Sequence, residues 1–181
     1  MRVSLREISE IQTTVTFDIP AERFPVLREI SRRGEAAFPG LVQSRLSIQR
    51  VSGLIEVEGL VTCTARLSCA RCLAEFDYPI EAEIRLAYAR RSPEAAFPAE
   101  PADIDPDEAD LFSFSGEELD LAEGVQEQIV LALPIRALCR EDCRGLCPRC
   151  GADWNRGPCA CPQETEAGPF AALGTRKAPG R

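Results

Sequence analysis

The chain has 181 residues, a formal net charge of −8, nine cysteines and no histidine. Without histidine there is no Ser-His-Asp or Cys-His nucleophile arrangement and no His-containing metal site, so any metal ligands must be thiolates or carboxylates. No apolar run approaches the roughly 20 residues of a membrane helix, and the start, Met-Arg-Val-Ser-Leu-Arg-Glu, has no signal-like apolar stretch, which predicts a cytoplasmic protein without membrane partners.

The charge is unevenly placed. Between Ser92 and Glu123 there are eleven acids and no Lys or Arg. Residues 1–91 carry thirteen basic and twelve acidic side chains, and residues 124–181 carry eight and six. This balance argues against strong non-specific nucleic-acid binding but permits a local arginine-lined patch.

In chain order, Val15, Phe17 and Ile19 alternate with polar residues, as in a half-buried strand. Phe24-Pro25, followed by Leu27 and Ile30, suits a short helix with proline in its first turn, where the missing N–H is harmless. From Val42 the period-two pattern sharpens. Ile55, Val57, Val61, Cys63, Ala65 and Leu67 share one face, and after Cys69-Ala-Arg-Cys72 so do Phe76, Tyr78, Ile80, Ala82, Ile84, Leu86 and Tyr88. Residues 42–90 are predicted to form a three-stranded antiparallel meander, with Cys69–Cys72 at a hairpin tip. Cys63 has the parity of a small core residue.

Residues 92–118 are rich in proline and acid and read as a loop, with Phe112 and Phe114 pinning its far end to the body. A helix is predicted over 120–133. Leu121, Val125 and Ile129 face the sheet, Asp120 caps the first turn, Glu123 stands in the capping-box position, and Pro134 stops the run. The expected fold is therefore α+β and β-rich. A body (1–134) has a meander sheet and a packed helix, a cysteine-rich module (135–162) follows as an appended C-terminal zinc knuckle, and a flexible tail (163–181) carries the apolar knot around Phe170 and Leu173.

Eight of the nine cysteines fall into pairs. A reducing cytosol favours metal or redox roles over disulfides. Cys147-Pro-Arg-Cys150-Gly151 has knuckle spacing, with a glycine to allow the tight turn, and Cys159-Ala-Cys161 supplies a second pair. These four predict a zinc site. Cys69, Cys72, Cys139 and Cys143 predict a second one, provided the two pairs meet in space. Two structural Zn2+ ions are thus expected, with every coordination position filled by protein. A dithiol at Cys147 and Cys150 or an iron–sulfur cluster is the competing use of the same thiols. Arg136, Arg140, Arg144, Arg149, Arg156 and Trp154 surround the cluster. The arginines either balance thiolate charge or grip phosphate, and Trp154 either packs over the knuckle or stacks on a base.

Taken together, three stretches resemble the YceD family, the large ribosomal RNA subunit accumulation proteins of bacteria and plastids. They are Leu67-Ser-Cys69-Ala-Arg-Cys72-Leu73, the run from Asp120 to Pro134, and the run from Cys139 to Gly151. The resemblance is strongest over residues 60–161. It implies a role in accumulating or processing large-subunit (23S) ribosomal RNA, hence ribosome assembly, and it carries over no catalytic residue. The expectation is a non-enzymatic assembly factor that binds precursor ribosomal RNA, a basic ribosomal protein, or both, with no small-molecule substrate. The alternative is a thiol redox or metal-handling protein.

Overall fold

A computed structural model describes residues 1–90 and 111–161. Its spine is a five-stranded sheet in the order β2-β3-β4-β5-β6, formed by β2 (Thr13–Pro20), β3 (Leu41–Val51), β4 (Leu54–Ser68), β5 (Glu75–Arg90) and β6 (Leu111–Phe114). The first four strands pair antiparallel in succession, and β6 joins β5 in parallel. The predicted meander is present, and β4 and β5, at 15 and 16 residues, pair along their whole length from Ile55↔Tyr88 to Ser68↔Glu75.

Alternation dictates the faces. Leu46, Ile48, Val57, Val61 and Ile84 are each 1% exposed or less, whereas Arg45, Glu58 and Arg85 on the opposite face are solvated. Gly59 holds an apolar-face position opposite Leu46, where a Cβ would collide with the Arg45 carbonyl oxygen. Only glycine lets β3 and β4 come this close.

Two helices bury their apolar stripes in the same core. A short 3-10 turn, Ala21–Arg23, leads into α1 (Pro25–Arg32), with Pro25 in its first turn and Phe24 and Leu27 fully buried. Leu121, just before helix α2 (Ala122–Leu131), and Val125 and Ile129 within it are completely buried, at about 2 kcal/mol of hydrophobic stabilisation each. Gly124 makes the closest approach, since a Cβ there would lie 2.6 Å from Leu86 Cδ1 and 2.8 Å from the Tyr88 hydroxyl oxygen.

Two sequence expectations need correction. The helix predicted over 120–133 is shorter at both ends. Asp120 belongs to β7 (Glu118–Asp120), which pairs with β1 (Arg2–Ser4), and it accepts a 3.0 Å hydrogen bond from the Ala122 N–H. At the other end the Leu133 N–H bonds back only three residues to Val130, because the residue before Pro134 is driven out of helical geometry. The loop predicted over 92–118 is ordered at its far end. There β6 forms and Phe112 stacks against Tyr88 with ring centroids 5.3 Å apart. Residues 92–110 of that loop and the tail over 163–181 lie outside the described residues. No helix among the described residues is long and apolar enough to cross a membrane.

Candidate metal centres

The turn between β4 and β5 and the turn at Cys147 have the same backbone wiring. The Cys69 N–H donates to the Ala74 carbonyl at 2.9 Å, and the Leu73 N–H returns to the Cys69 carbonyl at 2.9 Å. In the second turn, Cys147 N–H donates to Ala152 at 2.8 Å and Gly151 N–H to Cys147 at 2.9 Å. The residue after the second cysteine is left-handed in both, with φ of 60° at Leu73 and 72° at Gly151. Each turn therefore presents its two sulfurs to one point.

The partners converge on these knuckles, and the two pairs whose meeting the spacing left open come together. Cys69, Cys72, Cys139 and Cys143 form one group, and Cys147, Cys150, Cys159 and Cys161 form the other, with the sulfurs of each group lying within 4.8 Å of one another. Cys69 Sγ stands 3.7 Å from Cys143 Sγ, and Cys72 Sγ 3.7 Å from Cys139 Sγ. Four thiolates about 2.3 Å from a tetrahedral zinc have sulfur–sulfur edges of about 3.8 Å, whereas a disulfide closes to about 2.05 Å. The donor set and its dimensions fit one ion per group and are consistent with zinc. An iron–sulfur cluster sets several atoms between its thiolates and would spread them further.

The first group is the more buried. Cys69, Cys72 and Cys143 are enclosed and Cys139 is half-buried, while in the second group Cys147 is buried and Cys150 exposed. Burial opposes ionisation of Cys69, but N–H groups of Cys139, Cys72 and Arg71 outweigh it and bring that thiol down to about 6. Burial first, and then the sulfurs of Cys72, Cys143 and Cys69, push Cys139 up to about 12. In the second group the Trp154 indole N–H leads in bringing Cys159 down to about 6, and Cys161, facing Cys150, is pushed up to about 12. One thiolate in each group is stabilised by the protein's own donors, and its charge disfavours the next. A cation is what allows all four to ionise together. Cys63 stands apart, half-buried on the core face opposite Ile80, and burial pushes its thiol up to about 11.

Arg71 locks the first knuckle to the chain leaving α2. Its guanidinium donates to the carbonyls of Cys143 at 2.6 Å and Glu141 at 3.3 Å, its own carbonyl accepts from Leu146 N–H at 3.2 Å, and Ala70 N–H reaches the Ala137 carbonyl at 2.8 Å. Gly145, at φ 77°, fits because a Cβ would already lie 3.0 Å from the Arg71 carbonyl oxygen. Sequence reasoning missed Arg71 and Asn155. Asn155 is the sole carboxamide between Cys139 and Cys161, and such a side chain can donate and accept at once.

The surface candidates are differently placed. Arg140 is exposed but bonds Asn155 at 2.7 Å and lies 3.4 Å from Asp142, and Arg156 lies 3.7 Å from Asp153. Arg144 and Arg149 are exposed beside the two groups, as is Arg136 before them. Trp154 is half-buried, and its indole stands near enough to Cys159 to lower that thiol.

A family model described as "Large ribosomal RNA subunit accumulation protein YceD" matches residues 57–175, from β4 through both thiolate groups. The chain belongs to the YceD family. An uncharacterised protein of Mycobacterium tuberculosis is 31% identical over 111 residues, covering 61% of this chain and 50% of the relative. A Zea mays protein named as a chloroplastic large ribosomal RNA subunit accumulation protein YCED homolog is 27% identical over 137 residues, covering 64% of this chain and 47% of its own length. An Arabidopsis thaliana protein of the same name is 32% identical over 57 residues, covering 32% and 18%. The chain spans about half the length of the mycobacterial and maize relatives. No solved structure matches it.

Proposed function

We propose that this chain is a non-enzymatic assembly factor of the cytoplasm. It supports accumulation of large-subunit (23S) ribosomal RNA by binding the precursor RNA, a basic ribosomal protein, or both, through a surface held in shape by two structural zinc ions. The observation that carries this reading is that the family match spans the hairpin, α2 and both thiolate groups as one unit. The names of the plant relatives point the same way.

Three features support a scaffold role. Each group supplies four thiolates, which fills a tetrahedral zinc and leaves no position for substrate or water. The thiols are free, as a reducing compartment keeps them. Arg144 and Arg149 stand exposed on the cysteine-rich module, where guanidinium groups can pair with phosphate.

Crosslinking the tagged protein to RNA in cells should recover large-subunit ribosomal RNA, with crosslinks mapping to residues 136–156. Arg144→Glu with Arg149→Glu should lower RNA affinity at least tenfold and reduce the salt slope by about two, with metal content unchanged. Recovery of neither large-subunit RNA nor its proteins would sink the reading.

A further inference from the structure

The geometry points to Asn155 as the residue that couples the two metal centres, so that an ion held by Cys147, Cys150, Cys159 and Cys161 raises the affinity of the Cys69, Cys72, Cys139 and Cys143 group. This rests on the metal reading of both groups.

Asn155 lies in the loop between the two ligand pairs of the second group, yet its side chain is spent on the first. Its Nδ2 donates to Cys143 Sγ at 3.4 Å and to Asp153 Oδ1 at 2.7 Å. Its Oδ1 accepts from the Arg140 guanidinium at 2.7 Å and from the Arg144 backbone N–H at 2.8 Å.

The loop is fixed to the first centre by its backbone as well. Leu146 bridges Asp153, and the Trp154 N–H donates to the Gly145 carbonyl at 3.0 Å. Both ends of this loop are ligand cysteines. An ion at the second centre ties those ends together and places Asn155 before Cys143 needs it, removing an ordering cost that the first centre would otherwise bear alone. An N–H aimed at a ligand sulfur stabilises the thiolate the ion requires, and outer partners of this kind typically change metal affinity by about 10- to 100-fold. By linkage, an ion at the first centre must strengthen the second by the same factor.

The test uses the full chain, stripped and titrated with zinc against a competing chelator, with occupancy of each centre read by native mass spectrometry and by cobalt(II)–thiolate absorption. In Cys159→Ser with Cys161→Ser, the first centre should bind about 10- to 100-fold more weakly than in the wild type. Asn155→Ala, with the second centre intact, should show a similar loss at the first. Asn155→Asp keeps an acceptor for Arg140 and Arg144 but lacks the donor to Cys143, and it should shift the cobalt–thiolate band of the first centre while the sheet's circular dichroism stays unchanged. Combining Asn155→Ala with the two serine substitutions should add little further loss. Wild-type affinity in the Asn155 variants, or fully additive losses, would overturn the coupling. If the serine variant does not fold, the two Asn155 variants decide alone. A wild-type chain that binds no metal would instead remove the underlying reading.

Discussion

Leu73 and Gly151 occupy the same place in two turns with the same hydrogen bonds, and both are left-handed. Glycine takes that conformation freely, whereas a leucine pays about 1–2 kcal/mol for the contact of its Cβ with the following carbonyl. Leu73 is 68% exposed and recovers little by burial. Leu73→Gly should therefore stabilise the folded chain by about 1 kcal/mol, raising its thermal midpoint by about 2–4 °C. Thermal denaturation of the metal-loaded proteins measures it, and a lower midpoint would mean that the leucine side chain has a partner of its own. At this scale the sequence was informative about ligands and uninformative about their support. Cysteine spacing and the fold divide the eight thiols into the same two groups of four. Arg71 and Asn155 act through backbone carbonyls and a sulfur brought close only by folding, and no spacing announces them.

The elements that sequence made legible are those long enough to show a period. Strands β3, β4 and β5 repeat their alternation many times, and α2 shows Leu121, Val125 and Ile129 at helical spacing. Strands β1 and β7 have three residues each, too few to show alternation, and β6 depends on parallel pairing with a distant strand. The junction of β7 with α2 is also where a pH effect belongs. Burial raises the Asp120 carboxyl, but the Ala122 N–H, the Met1 amino group and Arg2 together hold it below the usual carboxylate range. A depressed folded value means its contribution is present above the unfolded value of about 3.9 and is lost as pH falls through the folded one. Asp120→Asn should cost about 0.5–1 kcal/mol at neutral pH, shrinking towards zero in strong acid. Urea unfolding of both proteins across that range checks this, and a pH-independent difference would assign the loss to packing.

Across the whole molecule, the sheet and the cysteine-rich module draw stability from different sources. The sheet buries an aliphatic core between its apolar face and two helices, whereas residues 139–161 gather around their sulfurs with few large apolar side chains. A strong chelator should release about two ions per chain and abolish amide protection over residues 139–161 and the turn at 69–74, while the β3–β4–β5 ladder keeps its slow exchange. Hydrogen exchange with and without chelator measures this. Unchanged protection in the module would show that it holds together without an ion.

The junction of Cys69 and Cys72 with Cys139 and Cys143 has a consequence for the path of the chain. It joins points 67 to 74 residues apart, so the polypeptide from β5 through α2 forms a closed ring rather than an open run. A ring of that length is costly to close but cheap to enlarge, because closure entropy grows with the logarithm of contour length and doubling it adds only about 0.6 kcal/mol. The acidic stretch lies on this ring. Its length and sequence can therefore drift over evolutionary time at little energetic cost, while the knot that closes the ring cannot.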